Sequence, residues 1–144
     1  MSVPESQRGH GKFETLIKAK ELAVYTCKIC TNKNVFPIQY QNALTDKIID
    51  TAMDIFMMCD TANNVRFRFD LKDDEYKLNM TKRQLYQVQA CENCDRLLSL
   101  IQIAQPIFHL STRRIQYWGG KAVEVKNLIW KWKESDRKRF GNYL

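Results

Sequence analysis

The sequence predicts an all-α fold, an antiparallel up-down bundle of four helices. Three observations lead there. Apolar residues recur in steps of three and four along four long stretches. No alternating strand pattern or hairpin turn competes with them. Only 5 Gly and 3 Pro occur in 144 residues, so few turns can be written and the elements between them must be long. Hydrophobic residues at 44% and charged residues at 27% fit one ordinary folded domain.

Residues 1–11 are polar, contain Pro4, Gly9 and Gly11, and read as a flexible arm ahead of a bundle domain over 12–144. The first helix is expected over about 12–31, with Phe13, Leu16, Ala19, Ala23, Tyr25, Ile29 and Cys30 at helical spacing. Asn32 or Asn34 suits a C-cap, and Pro37 cannot continue the helix. A second helix is expected over about 38–66. Its seam is Leu44, Ile48, Ala52, Ile55, Cys59 and Ala62, with Asp46, Asp50, Asp54 and Asp60 off the seam. The acidic "DLKDDEY" at 70–76 reads as a connection or a frayed helix start. The third helix is expected over about 78–105, with Thr81 and Gln84 as a capping box, a seam of Val88, Cys91, Cys94, Leu98 and Ile101, and Pro106 kinking or ending it. The fourth is expected over about 111–140, capped by Ser111 and stopped by Gly141. Its seam runs Ile115, Trp118, Ala122, Val125, Ile129 and Trp132.

Apolar runs never approach the roughly eighteen residues of a membrane span, and no apolar stretch follows the N-terminal charges as in a secretory signal. A cytoplasmic protein with reduced thiols is expected. The two CxxC pairs, Cys27–Cys30 and Cys91–Cys94, raise the question of a zinc site. Neither pair is flanked by the turn residues of a zinc knuckle, and both lie among apolar seam residues. Free cysteine packs as a small hydrophobe, so core filling is the expected role, with no metal. Catalytic signals are thin. His10 lies in the arm, and His109 sits beside Pro106 without the nearby Arg that four-helix ribonucleases of the HEPN type carry. No phosphate-loop, metalloprotease or nucleophile-elbow motif occurs, and Glu-x-x-His pairs for a di-iron centre are missing. No enzyme and no cofactor are expected.

Charge is where the sequence speaks. The net charge of +7 is uneven: from Ser111 onward there are nine basic and three acidic residues, whereas from Ile38 to Met80 there are five basic and eight acidic. A basic segment of this kind suits a polyanion or an acidic partner. On the fourth helix Lys126, Trp130, Lys133 and Arg137 follow spacings of four, three and four. Lys131 and Lys138 lie further round, and Arg114 and Lys121 occupy the opposite shoulder. Cations interleaved with an aromatic can hold phosphates while offering a ring to a base. Positive charge at a helix C-terminus is also the ordinary complement of the macrodipole.

The segments "SVPESQRG", "FETLIKAKELAVYT", "LTDKIIDTAMDI", "CDRLLSLIQIA", "FHLSTRRIQYW" and "VEVKNLIWKWKESD" together resemble the Avd family. Avd is the accessory variability determinant of diversity-generating retroelements, related to proteins encoded in intervening sequences of bacterial 23S ribosomal RNA genes. The resemblance runs from Ser2 to about Phe140 as an overall pattern without a catalytic motif. It implies a homopentameric barrel of bundles, a basic surface that binds RNA or DNA, and a reverse transcriptase as partner in mutagenic cDNA synthesis and retrohoming. The positions that fit its basic surface are Arg113, Arg114, Lys121, Lys126, Lys131, Lys133 and Arg137. A stand-alone module for oligomerisation or protein interaction is the alternative, motivated by the aromatics Tyr117, Trp130 and Tyr143.

Overall fold

The computed structural model describes residues 10–65 and 73–140, which form four long helices: α1 (His10–Thr31), α2 (Asp46–Asn64), α3 (Asp73–Phe108) and α4 (Thr112–Phe140). Each helix packs on the next, and α4 closes back onto α1, making a four-helix bundle. Along the α1–α4 seam, Lys18 meets Glu124, Tyr25 meets Tyr117 and Thr26 meets Trp118. No strand occurs among the described residues, and no helix among them is long and apolar enough to cross a membrane.

The expected seam of the second helix is buried throughout: Leu44 just ahead of α2, and Ile48, Ala52, Ile55, Cys59 and Ala62 within it, all face inward. That of α4 is buried from Trp118 to Trp132, with Leu128 added and Ile115 half-buried. The α1 seam needs correction. Phe13 stands out in solvent, while Thr15 and Thr26 take buried places beside Ala19, Leu22, Ile29 and Cys30. Thr26 is tolerated inside because its hydroxyl accepts the Trp118 indole N–H at 3.0 Å, so both buried polar groups are satisfied.

Helix boundaries moved for local reasons. α1 begins at His10, inside the expected arm; residues 1–9 lie outside the described ones. After Thr31 the Asn32 side chain caps a turn by accepting the Asn34 N–H at 3.1 Å, and its carbonyl accepts the Phe36 N–H at 2.9 Å. That fold-back drops Phe36 into the core. The chain is helical again from Ile38, as expected, but as a 3₁₀ turn (Ile38–Tyr40) and a π turn (Gln41–Thr45) before α2 proper. The π register suits Gln41: the Asp46 N–H reaches its carbonyl, and its own amide donates to Asp46 Oδ1 at 2.6 Å, both links spanning five residues. The predicted end of this helix at Arg66 lies outside the described residues, as do Asp70–Lys72 and the Gly141 stop.

α3 starts at Asp73, so "DDEY" is helix and the capping box at Thr81 does not form. Thr81 sits mid-helix and its hydroxyl donates to the Lys77 carbonyl at 2.9 Å. Pro106 does not stop α3 at once; the helix runs on to Phe108. His109 then adopts the left-handed conformation (φ 55°), and the Leu110 N–H bonds the Gln105 carbonyl at 3.0 Å. This is a Schellman ending, with the buried Leu110 as its apolar plug. Ser111 caps α4 as expected, its hydroxyl accepting the Arg114 N–H at 3.1 Å.

The two ends of the interior differ in chemistry. At one end Phe36, Phe108 and Trp118 gather, with ring centroids 4.5 and 6.0 Å apart. At the other, the α3 seam carries Arg83 and Gln87 inward to meet Asp136 of α4, only 2% exposed. Arg83 donates to Asp136 through Nε at 2.7 Å and Nη2 at 2.9 Å, and Gln87 Nε2 donates at 2.8 Å. The Arg83 guanidinium lies 5.1 Å from the Trp132 ring centroid.

Candidate nucleic-acid interface

α4 carries the candidate residues because its seam uses only the narrow inward stripe and leaves the rest of a 29-residue helix for charge. Of the three acids in the C-terminal segment, Asp136 is withdrawn into the bundle by Arg83. Desolvation pushes its carboxyl above the usual range and the Arg83 guanidinium below its own, against the attraction between them. The nine bases are therefore faced on the α4 surface by two acids, Glu124 and Glu134.

The candidates do not form one patch. Lys126, Trp130, Lys133 and Arg137 share the flank turned towards α3, where Lys126 Nζ reaches Asp95 Oδ1 at 2.7 Å. Trp130 is half exposed, and Lys133 Nζ lies over its ring, 4.8 Å from the centroid. Arg113, Arg114 and Lys121 lie on the other flank beside α1, where they meet Tyr25 and Tyr117. Lys131 lies on that side too, lining a shallow cleft with Glu14 and Gly120. Two of these cations already have carboxylate partners: Lys126 is held by Asp95 and Arg137 by Glu134, each at 2.7 Å. Hydrogen bonding to Asp95 raises the Lys126 pKa above its ordinary value. Both pairs are exposed, and such pairs contribute little to stability and are weakened by salt. A phosphate can compete for either cation.

Sequence reasoning missed the α1 contribution. Lys20 and Lys28 flank Tyr25 and face Lys121 and Tyr117 across the seam. The signal was there in the spacing of "KELAVYTCK" at 20–28, but which helix it would face was not.

The cysteines are core. Cys30, Cys59, Cys91 and Cys94 are buried and Cys27 is half-buried. Burial pushes the Cys30 and Cys59 thiols up to about 12 and Cys91 up to about 11, and raises Cys94 as well. Thiols held neutral in this way are poor nucleophiles and poor ligands. No group of three or more metal-ligating side chains converges among the described residues. His109, exposed at the α3 terminus, serves its backbone turn. No family model, curated protein or solved structure matches the chain.

Proposed function

We propose that the chain is a non-enzymatic accessory protein that binds RNA or DNA through the basic surface of α4, as a partner of a retroelement reverse transcriptase. The observation that carries the nucleic-acid reading is the sequestration of Asp136, which leaves nine cations against two carboxylates on one long helix. The resemblance to the Avd family supplies the reverse transcriptase, the retroelement setting and assembly into a homopentamer of antiparallel bundles. The placing of Lys18 against Glu124, but of Tyr25 and Thr26 against the earlier Tyr117 and Trp118, supports the antiparallel part of that reading. A cytoplasmic setting fits both the partner and the free thiols.

The test is a salt series of binding to a short RNA and the matching DNA. Affinity is expected to fall steeply with salt, by about 0.7–0.9 in log–log slope per phosphate contacted. The triple variant Lys126→Glu, Lys133→Glu, Arg137→Glu should weaken binding across all sequences and flatten that slope. Unchanged affinity in the triple variant rejects this placement, and an absence of any salt-sensitive binding rejects the function.

A second reading, a stand-alone oligomerisation or protein-interaction module, draws on the exposed apolar side chains of α1 and α4: Phe13, Ile17, Tyr117, Val123 and Trp130. Tight self-association or capture of a polymerase without nucleic-acid affinity would favour it.

A further inference from the structure

Two cavities along the α1–α4 seam share one pair of rings. One, of about 370 Å³, is lined by Lys20, Lys28 and Lys121; the other, of about 290 Å³, by Arg113 and Arg114; Tyr25 and Tyr117 line both. The two rings meet edge to face with centroids 5.2 Å apart, and Tyr117 is 56% exposed. We propose that this groove is a binding site for single-stranded nucleic acid, in which an unstacked base lies on Tyr117 and the phosphates on either side of it are held by the arginines and the lysines. The proposal rests on the nucleic-acid reading above and adds to it a ligand class, a groove and the α1 residues.

The register of α4 suits one nucleotide step. Arg113, Tyr117 and Lys121 are four residues apart, so each lies about 6 Å further along the axis at 1.5 Å per residue. Cations thus precede and follow the ring along one helix face. The charge balance favours an anion: five cations line the two cavities against Glu21 alone, and Glu21 Oε2 is already 3.5 Å from Lys18 Nζ. None of the five is within ion-pair distance of a carboxylate among the described residues.

Lys121 Nζ lies 5.0 Å from the Tyr117 ring centroid and competes for that ring. An exposed cation–π contact strengthens binding by only about 2- to 5-fold, whereas a base stacked on an aromatic contributes about 5- to 150-fold. The base displaces the ammonium, which is then free to turn to a phosphate. A duplex keeps its base faces inside its own stack and offers this groove phosphates only. The rings therefore select the single strand.

The experiment measures binding of the full chain to a labelled short single strand, to a blunt duplex of the same length, and to polyglutamate at low salt. The wild type is expected to prefer the single strand. Tyr117→Ala should lose about 5- to 150-fold of single-strand affinity while leaving duplex affinity in place, and Tyr117→Phe should retain both. Lys20→Glu with Lys28→Glu, on the α1 surface, should weaken single-strand binding with the bundle intact. Equal affinity for single strand and duplex overturns the inference. So does polyglutamate bound as tightly as the single strand, or a Tyr117→Ala chain that binds the single strand like the wild type. If salt-sensitive binding is then abolished only by the Lys126, Lys133 and Arg137 reversals, the nucleic-acid function stands and this groove falls. If the wild type binds no nucleic acid, both fall together.

Discussion

Replacing Asp136 by alanine isolates the least expected part of the interior. The carboxylate accepts three hydrogen bonds, two from Arg83 and one from Gln87, at 2.7, 2.9 and 2.8 Å. Bonds to a charged group contribute about 1.5–3 kcal/mol each as a net value, although for a buried ion pair desolvation can outweigh the Coulombic gain. What the substitution leaves behind matters more than what it removes. Arg83 is 7% exposed, so its guanidinium would stay inside after losing the two charge-assisted bonds to Asp136. Breaking a buried pair from one side costs about 3–5 kcal/mol. Taking about 4 kcal/mol, the ratio of folded to unfolded chains falls roughly 1000-fold. With a slope of about 2 kcal/mol per molar urea, the midpoint moves down by about 2 M. Urea titration followed by circular dichroism reads this directly. The double variant Arg83→Met, Asp136→Leu removes both charges at similar volume and should recover most of the loss. Two results would refute the reasoning that breaking the pair from one side causes most of the damage: a single alanine variant costing less than about 1 kcal/mol, or a double variant as damaged as the two singles summed.

The remaining predictions concern the backbone and the thiols. A Cβ at Gly120 meets nothing within 4 Å, and one at Gly119 only Leu98 Cδ2 at 3.6 Å; Gly120→Ala should raise stability by about 0.5–1 kcal/mol through helix propensity, read as an increased melting temperature. His109 holds φ 55° without being glycine, so His109→Gly should stabilise by about 1 kcal/mol, and a loss on urea titration would contradict the Schellman assignment. Native alkylation near pH 8 should label Cys27 ahead of the four buried thiols, with all five reacting after denaturation. The buried thiols also set an alkaline limit. The folded Cys59 pKa of about 12 lies above its ordinary value of 9.0, so the native state keeps a proton that the unfolded chain gives up. That contribution is whole below pH 9 and disappears as pH rises towards 12. Cys59→Ala should therefore flatten the decline of stability with pH by up to about 1.4 kcal/mol per unit in that window.

The parts of the fold legible in the sequence are those where apolar periodicity alone decides. In α2 every expected seam residue is inside, because nothing but side-chain burial competes there. Phe13 misled because one apolar residue on the right spacing says nothing about whether a neighbour reaches it. Thr26 was overlooked because its burial depends on an indole 92 residues away. Arg83 and Gln87 read as solvent-facing by chemistry, and only a carboxylate 53 and 49 residues further on reverses that. The capping box at Thr81 was a sound local signal overridden by a helix that had already begun eight residues earlier. For the candidate interface, the register of α4 gave the two shoulders correctly. Which shoulder meets Tyr25, Lys20 and Lys28 depends on the neighbour across the seam, which no spacing within α4 contains.

The contrast between the ring-packed end and the ionic end of the bundle also bears on alignment. Uniformly greasy rods can slip past one another by a turn and lose little, since one leucine replaces another. Here a shift of α4 by one turn, about 5.4 Å, would carry Asp136 away from its guanidinium and drag the Trp118 indole off the Thr26 hydroxyl. Those two fastenings sit near opposite extremities of α4, eighteen residues apart, and they admit a single sliding position. The basic flanks of that helix are thereby held at a constant height against α1 and α3, as any groove shared between neighbouring rods requires.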